Sequence, residues 1–178
     1  PMSHHSVDVI VVGGGPAGLF GATLLARRGY AVAVCEEHAT VGQPVHCTGV
    51  LAAEAFDEFG LSRAAILNPL AAVRCVSPGG RCIAYTTPAT EAVVIDRGLF
   101  DSELAIDAIA AGVQVLTGTR VTDLRIDRSG VRARAGDREM TARLVVLACG
   151  ARYEFQRRFG LGLPAAYLHT AQRELPAE

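Results

Sequence analysis

The sequence predicts an α/β fold: a parallel, helix-flanked sheet with an antiparallel β-meander inserted in it. Three observations carry this. Residues 7–36 run as apolar strand, glycine turn, apolar helix and apolar strand, the pattern of a βαβ unit. A further strand, helix and strand follow in "AVVIDRGLFDSELAIDAIAAG" and "VQVLTGTRV". From Val121 onward polar and apolar residues alternate around two turn signals, as in antiparallel strands with one wet face.

The first unit is the most informative. Val9 to Val12 are continuous and mostly β-branched, as in a strand buried on both faces. Gly13, Gly15 and Gly18 then make the G-x-G-x-x-G spacing of a Rossmann-like turn. Gly13 permits the tight turn, Gly15 lets backbone approach a pyrophosphate, and Gly18 lets helix and strand pack closely. The helix opening at Pro16 and Ala17 presents free N–H groups and a positive dipole end to an anion. Gly29 ends that helix and Tyr30–Cys35 form the next strand. Glu36 closes it, followed by Glu37, at the distance where a carboxylate binds ribose hydroxyls. That charge disfavours a 2′-phosphate, and so NADP, at this position.

Further along, "LAAEAFDEFG" (51–60) reads as a short amphipathic helix with Leu51, Ala55 and Phe59 on one face. "AVRCVSPGGRCIAY" is a hairpin around Pro78-Gly79-Gly80. "AVVIDRGLFDSELAIDAIAAG" is a strand and a helix, with Phe100, Leu104, Ala108 and Ala111 on one face and Gly112 as its stop. "VTDLRIDRSGVRARAGDREMTARLVVLACG" turns at Ser129-Gly130 and Gly136-Asp137 to give three antiparallel strands, the last running on into "LVVLA". Arginines from Arg120 to Arg143 alternate with apolar residues and are matched by acids, which reads as a solvated sheet face. The polar start, with His4 and His5, carries no pattern of ordered structure. "LHTAQRELPAE" begins as a strand and stops, as in a piece of a longer chain.

Composition narrows the chemistry. The chain has 178 residues, enough for one ordinary domain or part of a larger one. A net charge of −1 gives no reason to expect nucleic acid or an anionic membrane as partner. There is no lysine, which excludes a Walker-type phosphate loop, a pyridoxal Schiff base and a Tyr-xxx-Lys dehydrogenase pair within these residues. Five cysteines without a CxxC pair predict reduced thiols in a cytoplasmic protein and no metal site. The uncharged run 9–26 is long enough to span a membrane, but three glycines and a proline interrupt it and no basic segment precedes it.

With these motifs in place the sequence resembles a known group. The order of GGGPAG, Glu36, "VGQPVHCTG", "VVIDRGLFDSELA" and "ARLVVLACGA" resembles FAD-dependent oxidoreductases of the para-hydroxybenzoate hydroxylase-like superfamily, in the geranylgeranyl reductase-type branch. The resemblance extends from Val7 over nearly the whole chain. It implies a Rossmann-like FAD-binding domain over 6–70 and 92–162, with 71–91 and 163–178 as strands of an incomplete substrate domain. Gly13, Gly15, Pro16, Ala17 and Gly18 would then hold the pyrophosphate of FAD, and Glu36, with Glu37 beside it, the adenosine ribose. Arg97 would lie against the phosphate or ribityl region, backbone at Val121 against the adenine, and Ala148 and Gly150 beside the turn. The P-x-x-C-x-G loop of Pro44, Cys47 and Gly49 would pass along the flavin ring, with Cys47 near the substrate cavity. Cys47 is either a group with chemistry or a small buried thiol, and His46 either a proton donor or simply solvated. Where many relatives have Ala-Asp-Gly, this chain has Ala148-Cys149-Gly150.

The resemblance implies a flavin oxidoreductase that reduces a carbon–carbon double bond of an isoprenoid or similar apolar substrate. Its electron donor would be NAD(P)H or a reduced carrier protein. A flavin monooxygenase shares the same nucleotide site, and a nucleotide-binding module without catalysis shares it without the chemistry. An apolar substrate allows a membrane-peripheral position as well as a cytoplasmic one.

Overall fold

The computed structural model describes residues 4–168, 170 and 171. Two compact units divide it: residues up to Gln43 with Asp101–Thr170, and a second centred on Pro44–Phe100.

In chain order the strands and helices are β1 (His4–Ser6), β2 (Val9–Val12), α1 (Pro16–Ala26), β3 (Val32–Cys35), β4 (Val50–Ala52), α2 (Ala55–Glu58), β5 (Ile66–Leu70), β6 (Ala72–Val76), β7 (Cys82–Thr86), β8 (Ala92–Ile95), α3 (Arg97–Ala110), β9 (Gln114–Leu116), β10 (Val121–Asp127), β11 (Gly130–Ala135), β12 (Arg138–Ala142), β13 (Leu144–Leu147) and α4 (Glu154–Arg158).

The first unit holds a four-stranded parallel sheet of order β13-β2-β3-β9. Every residue of β2 and β3 is buried, which is why both read as unbroken apolar runs. Gly18, Leu19, Ala22 and Thr23 form the buried side of α1, and the Thr23 hydroxyl is satisfied by the Leu19 carbonyl at 2.8 Å. Gly29 turns the chain at φ +89°, and the Asp8 carboxylate accepts from the Ala31 N–H at 2.8 Å to start the return strand.

A second sheet of order β1-β12-β11-β10 stacks on the first. Ile10, Val12, Ala33 and Cys35 share one core with Leu124, Val131, Ala133, Met140 and Phe155. Along β11 the alternation is strict: Val131, Ala133 and Ala135 point inward while Arg132 and Arg134 face water. The arginine-rich stretch is therefore a solvated face, with Arg132 3.7 Å from Asp127 and Arg158 2.6 Å from Asp123.

In the second unit β8 lies between β4 and β5 in an antiparallel sheet, and β6 and β7 form the hairpin expected around Pro78-Gly79-Gly80. Pro69 sits on β5, at the sheet edge, where a missing N–H costs no ladder bond.

Three expectations are corrected. Residues 51–60 are not one helix: Val50, Leu51 and Ala52 pair with Val94, Val93 and Ala92, and only Ala55–Glu58 are helical. A short apolar run fits either period, and the available edge of β8 decides it. The start is not without structure, since His4–Ser6 pair in parallel with Glu139–Thr141 of β12. The last antiparallel strand does not run on into "LVVLA": it ends at Ala142, and β13 belongs to the parallel sheet beside β2. The break is made by Asp8, whose carbonyl accepts from both the Arg143 and Leu144 N–H groups. The strand expected at "LHTAQRELPAE" falls largely outside the described residues; Leu168, Thr170 and Ala171 carry no regular structure.

Candidate dinucleotide-binding site

The three fingerprint glycines are required for different reasons. Gly13 has φ +108°, and a Cβ there would overlap the Ala148 carbonyl oxygen. A Cβ on Gly18 would overlap the Gly13 carbonyl oxygen and lie 3.3 Å from the Ala148 Cβ. Both are therefore demanded by the fold itself. Gly15 is not. Its backbone, φ −77° and ψ 178°, suits any residue, and among the described residues no atom beyond its chain neighbours lies within 4 Å of where its Cβ would be. The empty space beside Gly15 faces the start of α1, which no side chain caps. Pro16 has no N–H to offer there, so Ala17 and Gly18 supply the unpaired donors of the first turn. Backbone donors at a helix start, with room beside them, suit a pyrophosphate.

Glu36 is a buried carboxylate at the end of β3. Its Oε2 accepts from the Gly14 N–H at 2.7 Å, and its Oε1 from the His38 N–H at 2.9 Å and the His38 Nδ1 at 2.6 Å. Burial opposes ionisation, but the His38 and Gly14 N–H groups and the His38 ring outweigh it and hold the carboxyl below the usual glutamate range. Gly14 makes the approach possible, because a Cβ there would lie 2.9 Å from the Glu36 Cβ and 3.1 Å from Oε2. Glu37 points elsewhere, to Arg152 Nη1 at 2.9 Å and Arg120 Nε at 3.9 Å. The segment after β9 is tied to this corner: the Thr119 N–H donates to the Glu36 carbonyl and the Gly118 N–H to the His38 carbonyl. It then delivers Val121, buried, into β10.

On the far side of the turn, the Ala148 N–H donates to the Val12 carbonyl at 2.8 Å. Cys149 Sγ donates to the same carbonyl at 3.5 Å, and burial pushes its thiol up. Gly150 takes φ +59°.

The P-x-x-C-x-G loop lies in the second unit. Pro44, His46 and Cys47 are exposed, so Cys47 is not the buried thiol that its alternative reading required. Gly49 is buried at φ +70°, with a would-be Cβ 2.5 Å from the Ile95 carbonyl oxygen and 3.4 Å from Arg97 Cγ. The Gly49 N–H donates to Cys47 Sγ at 3.5 Å. That bond lowers the thiol below its usual value against a small desolvation, and hydrogen bonding and charge from Arg97 add to it. Cys35 is the contrast: burial pushes it up to about 11, with Arg138 opposing only in part. Of the two thiols, Cys47 is held toward its ionised form and Cys35 away from it.

The residues predicted from sequence fall into two groups. Gly13, Gly15, Pro16, Ala17, Gly18, Glu36, Glu37, Val121, Ala148 and Gly150 belong to the first unit, while Pro44, His46, Cys47, Gly49 and Arg97 belong to the second. Sequence reasoning passed over Gly14 and His38. The triple glycine was the available signal for Gly14, since the fingerprint explains only the outer two; His38 is visible only once Glu36 is placed.

A βαβ turn with an open pyrophosphate space and a carboxylate after its second strand defines a Rossmann-like FAD-binding fold of the oxidoreductase type. The family model described as pyridine nucleotide-disulphide oxidoreductase matches residues 7–175, and the chain belongs to that family. Among curated proteins it is similar to a digeranylgeranylglycerophospholipid reductase of Methanoculleus marisnigri, at 31% identity over 88% of this chain and 42% of the relative. It is also similar to the protein of that description from Methanocella arvoryzae, at 33% identity over 86% of this chain and 42% of the relative. Among solved structures it superimposes on a geranylgeranyl bacteriochlorophyll reductase-like protein of Thermoplasma acidophilum with TM-score 0.79 and 27% identity, covering 89% of this chain and 43% of that one. The chain spans less than half the length of these relatives.

Proposed function

We propose that this chain is the FAD-holding part of a flavin-dependent reductase acting on carbon–carbon double bonds of an isoprenoid or similar apolar substrate. The observation that carries the cofactor reading is Gly15: a glycine that neither backbone nor packing requires, beside empty space at an uncapped helix start. Names of the similar curated proteins, reductases of a digeranylgeranyl lipid, support the substrate class.

In this reading the N–H groups of Gly15, Ala17 and Gly18 bind the pyrophosphate, and Glu36 receives a ribose hydroxyl. Val121 backs the adenine, and Ala148 and Gly150 flank the turn. Glu37 serves the site indirectly, by fixing Arg152 and Arg120. Bound FAD would supply the hydride chemistry. The chain's own part lies in orientation and in proton handling. The Gly49 N–H and Arg97 hold the Cys47 thiol toward its ionised form, and Cys47, with the exposed His46 beside it, is the pair assigned to proton handling. Reducing equivalents would come from NAD(P)H or a reduced carrier protein. A lipid-linked substrate would bring the protein to a membrane surface from the cytoplasm; no helix among the described residues is long and apolar enough to cross one.

The decisive experiment has two stages. Denatured protein should release FAD, identified by absorbance and mass; a nicotinamide nucleotide alone would overturn the cofactor reading. Flavin reduced without oxygen should then be reoxidised by a polyprenyl lipid. Reoxidation that requires oxygen would favour a monooxygenase, and FAD binding with neither reaction would leave a nucleotide-binding module.

A further inference from the structure

The hydrogen-bonding capacity of Glu36 is nearly exhausted by the protein. A carboxylate oxygen accepts about two hydrogen bonds. Oε1 has both: the His38 N–H at 2.9 Å and the His38 ring at 2.6 Å. Because a carboxylate can only accept, the His38 Nδ1 must carry the proton in this pair. Oε2 has one, from the Gly14 N–H at 2.7 Å. Among the described residues, one acceptor position remains on the carboxylate, on Oε2.

We infer that His38 is a positioning residue which occupies Oε1 of Glu36 and so restricts the carboxylate to a single ribose hydroxyl of the bound dinucleotide. This rests on the proposed FAD reading and adds to it a residue and a stoichiometry of contact. A glutamate at the end of the second strand, free on both oxygens, would grip the 2′- and 3′-hydroxyls together. Here the second grip is taken by the chain itself.

The arrangement is held from several sides. Gly14 lacks the Cβ that would push the carboxylate away, and the His38 carbonyl is anchored by the Gly118 N–H at 2.8 Å. Glu37 Oε1 lies on the other side of the ring, 4.0 Å from His38 Nε2. The ring is nevertheless part-exposed, with 44% of its side chain accessible, so replacing it leaves little of a core behind.

The test uses FAD and two analogues lacking either the 2′- or the 3′-hydroxyl of the adenosine ribose, titrated into the flavin-free full chain. With the native residue, removing one hydroxyl should weaken binding by about tenfold, as for a hydrogen bond to a charged group, and removing the other by less than about twofold. His38→Ala removes the ring but keeps the backbone N–H, which frees one acceptor position on Oε1, so both analogues should then bind more weakly than FAD by similar factors. His38→Asn, which returns a donor close to the Nδ1 position, should restore the asymmetry. A role in folding alone would change all three affinities together and leave their ratios unchanged. Equal losses with the native residue, or ratios unmoved by His38→Ala, overturn the inference while leaving the FAD reading intact. No binding of FAD itself overturns both.

Discussion

Replacing Gly15 and Gly18 by alanine, one at a time, separates what the fold needs from what the cofactor needs. At Gly18 the new methyl group would overlap the Gly13 carbonyl oxygen, and neither atom belongs to a flexible side chain. Helix and strand would have to part, at a cost on the order of 3 kcal/mol, the upper end for overpacking. At Gly15 the methyl group meets nothing within 4 Å, and φ −77° is ordinary for alanine. Alanine there stiffens the unfolded chain, a gain of roughly 0.4–1 kcal/mol. It also replaces a better N-cap residue with a worse one, a loss of similar size. Net stability should stay within about 1 kcal/mol of the original. FAD affinity should not: a methyl group in the pyrophosphate space is overpacking against the ligand, and about 1–3 kcal/mol is roughly a one- to two-decade loss in Kd. Urea unfolding of the flavin-free proteins and FAD titration by flavin fluorescence give the two numbers. Gly15→Ala with unchanged affinity would place the phosphates elsewhere and refute the reasoning. A fully stable Gly18→Ala would refute the packing account.

Three further outcomes follow from the same structure. Glu36 is held below its ordinary range, so its contribution to stability is present above the unfolded-state pKa and is lost as pH falls through the lower folded value; Glu36→Gln should flatten that acid limb in urea unfolding. Cys47→Ala removes an exposed group and should cost on the order of 1 kcal/mol or less, while slowing reoxidation of FAD-loaded enzyme by substrate ~10²-fold; equal rates would reduce Cys47 to a bystander. Gly49→Ala must place a Cβ at φ +70° and 2.5 Å from the Ile95 carbonyl oxygen, a loss on the order of 2 kcal/mol in conformational strain alone, visible as early proteolysis around β4 and β8.

How much was legible in the sequence depended on how local its cause was. The βαβ turn could be read because Gly13, Gly15 and Gly18 act within one turn and its adjoining strand, and because β2 and β3 are buried on both faces. The meander could be read because Val131, Ala133 and Ala135 alternate with arginines at the period of a strand. Leu51 and Ala52 were misread because their partners, Val93 and Ala92 of β8, lie far along the chain, and nothing in "LA" itself chooses strand over helix. The end of β12 was misplaced for a related reason. The switch from one sheet to the other at Arg143 is imposed by a carbonyl of Asp8 at the opposite end of the chain.

The candidate site shows the same division within a single cluster of side chains. Glu36 announces itself by its distance from the glycine turn, where the proposed dinucleotide would have one ribose between its pyrophosphate and the acid. Its two protein partners do not. Gly14 looks redundant between Gly13 and Gly15, yet it is the residue whose missing Cβ admits the carboxylate to 2.7 Å from a backbone N–H. His38 looks like a loop residue, yet its N–H and its ring converge on one oxygen of that carboxylate. Spacing along the chain can identify the group that meets the ligand, because ligand dimensions fix it. The hydrogen-bonding capacity that this group still has free is set by its neighbours in space. In the proposed FAD reading that quantity decides how many ribose hydroxyls Glu36 can hold, and it becomes countable only when donors and lone pairs are placed together.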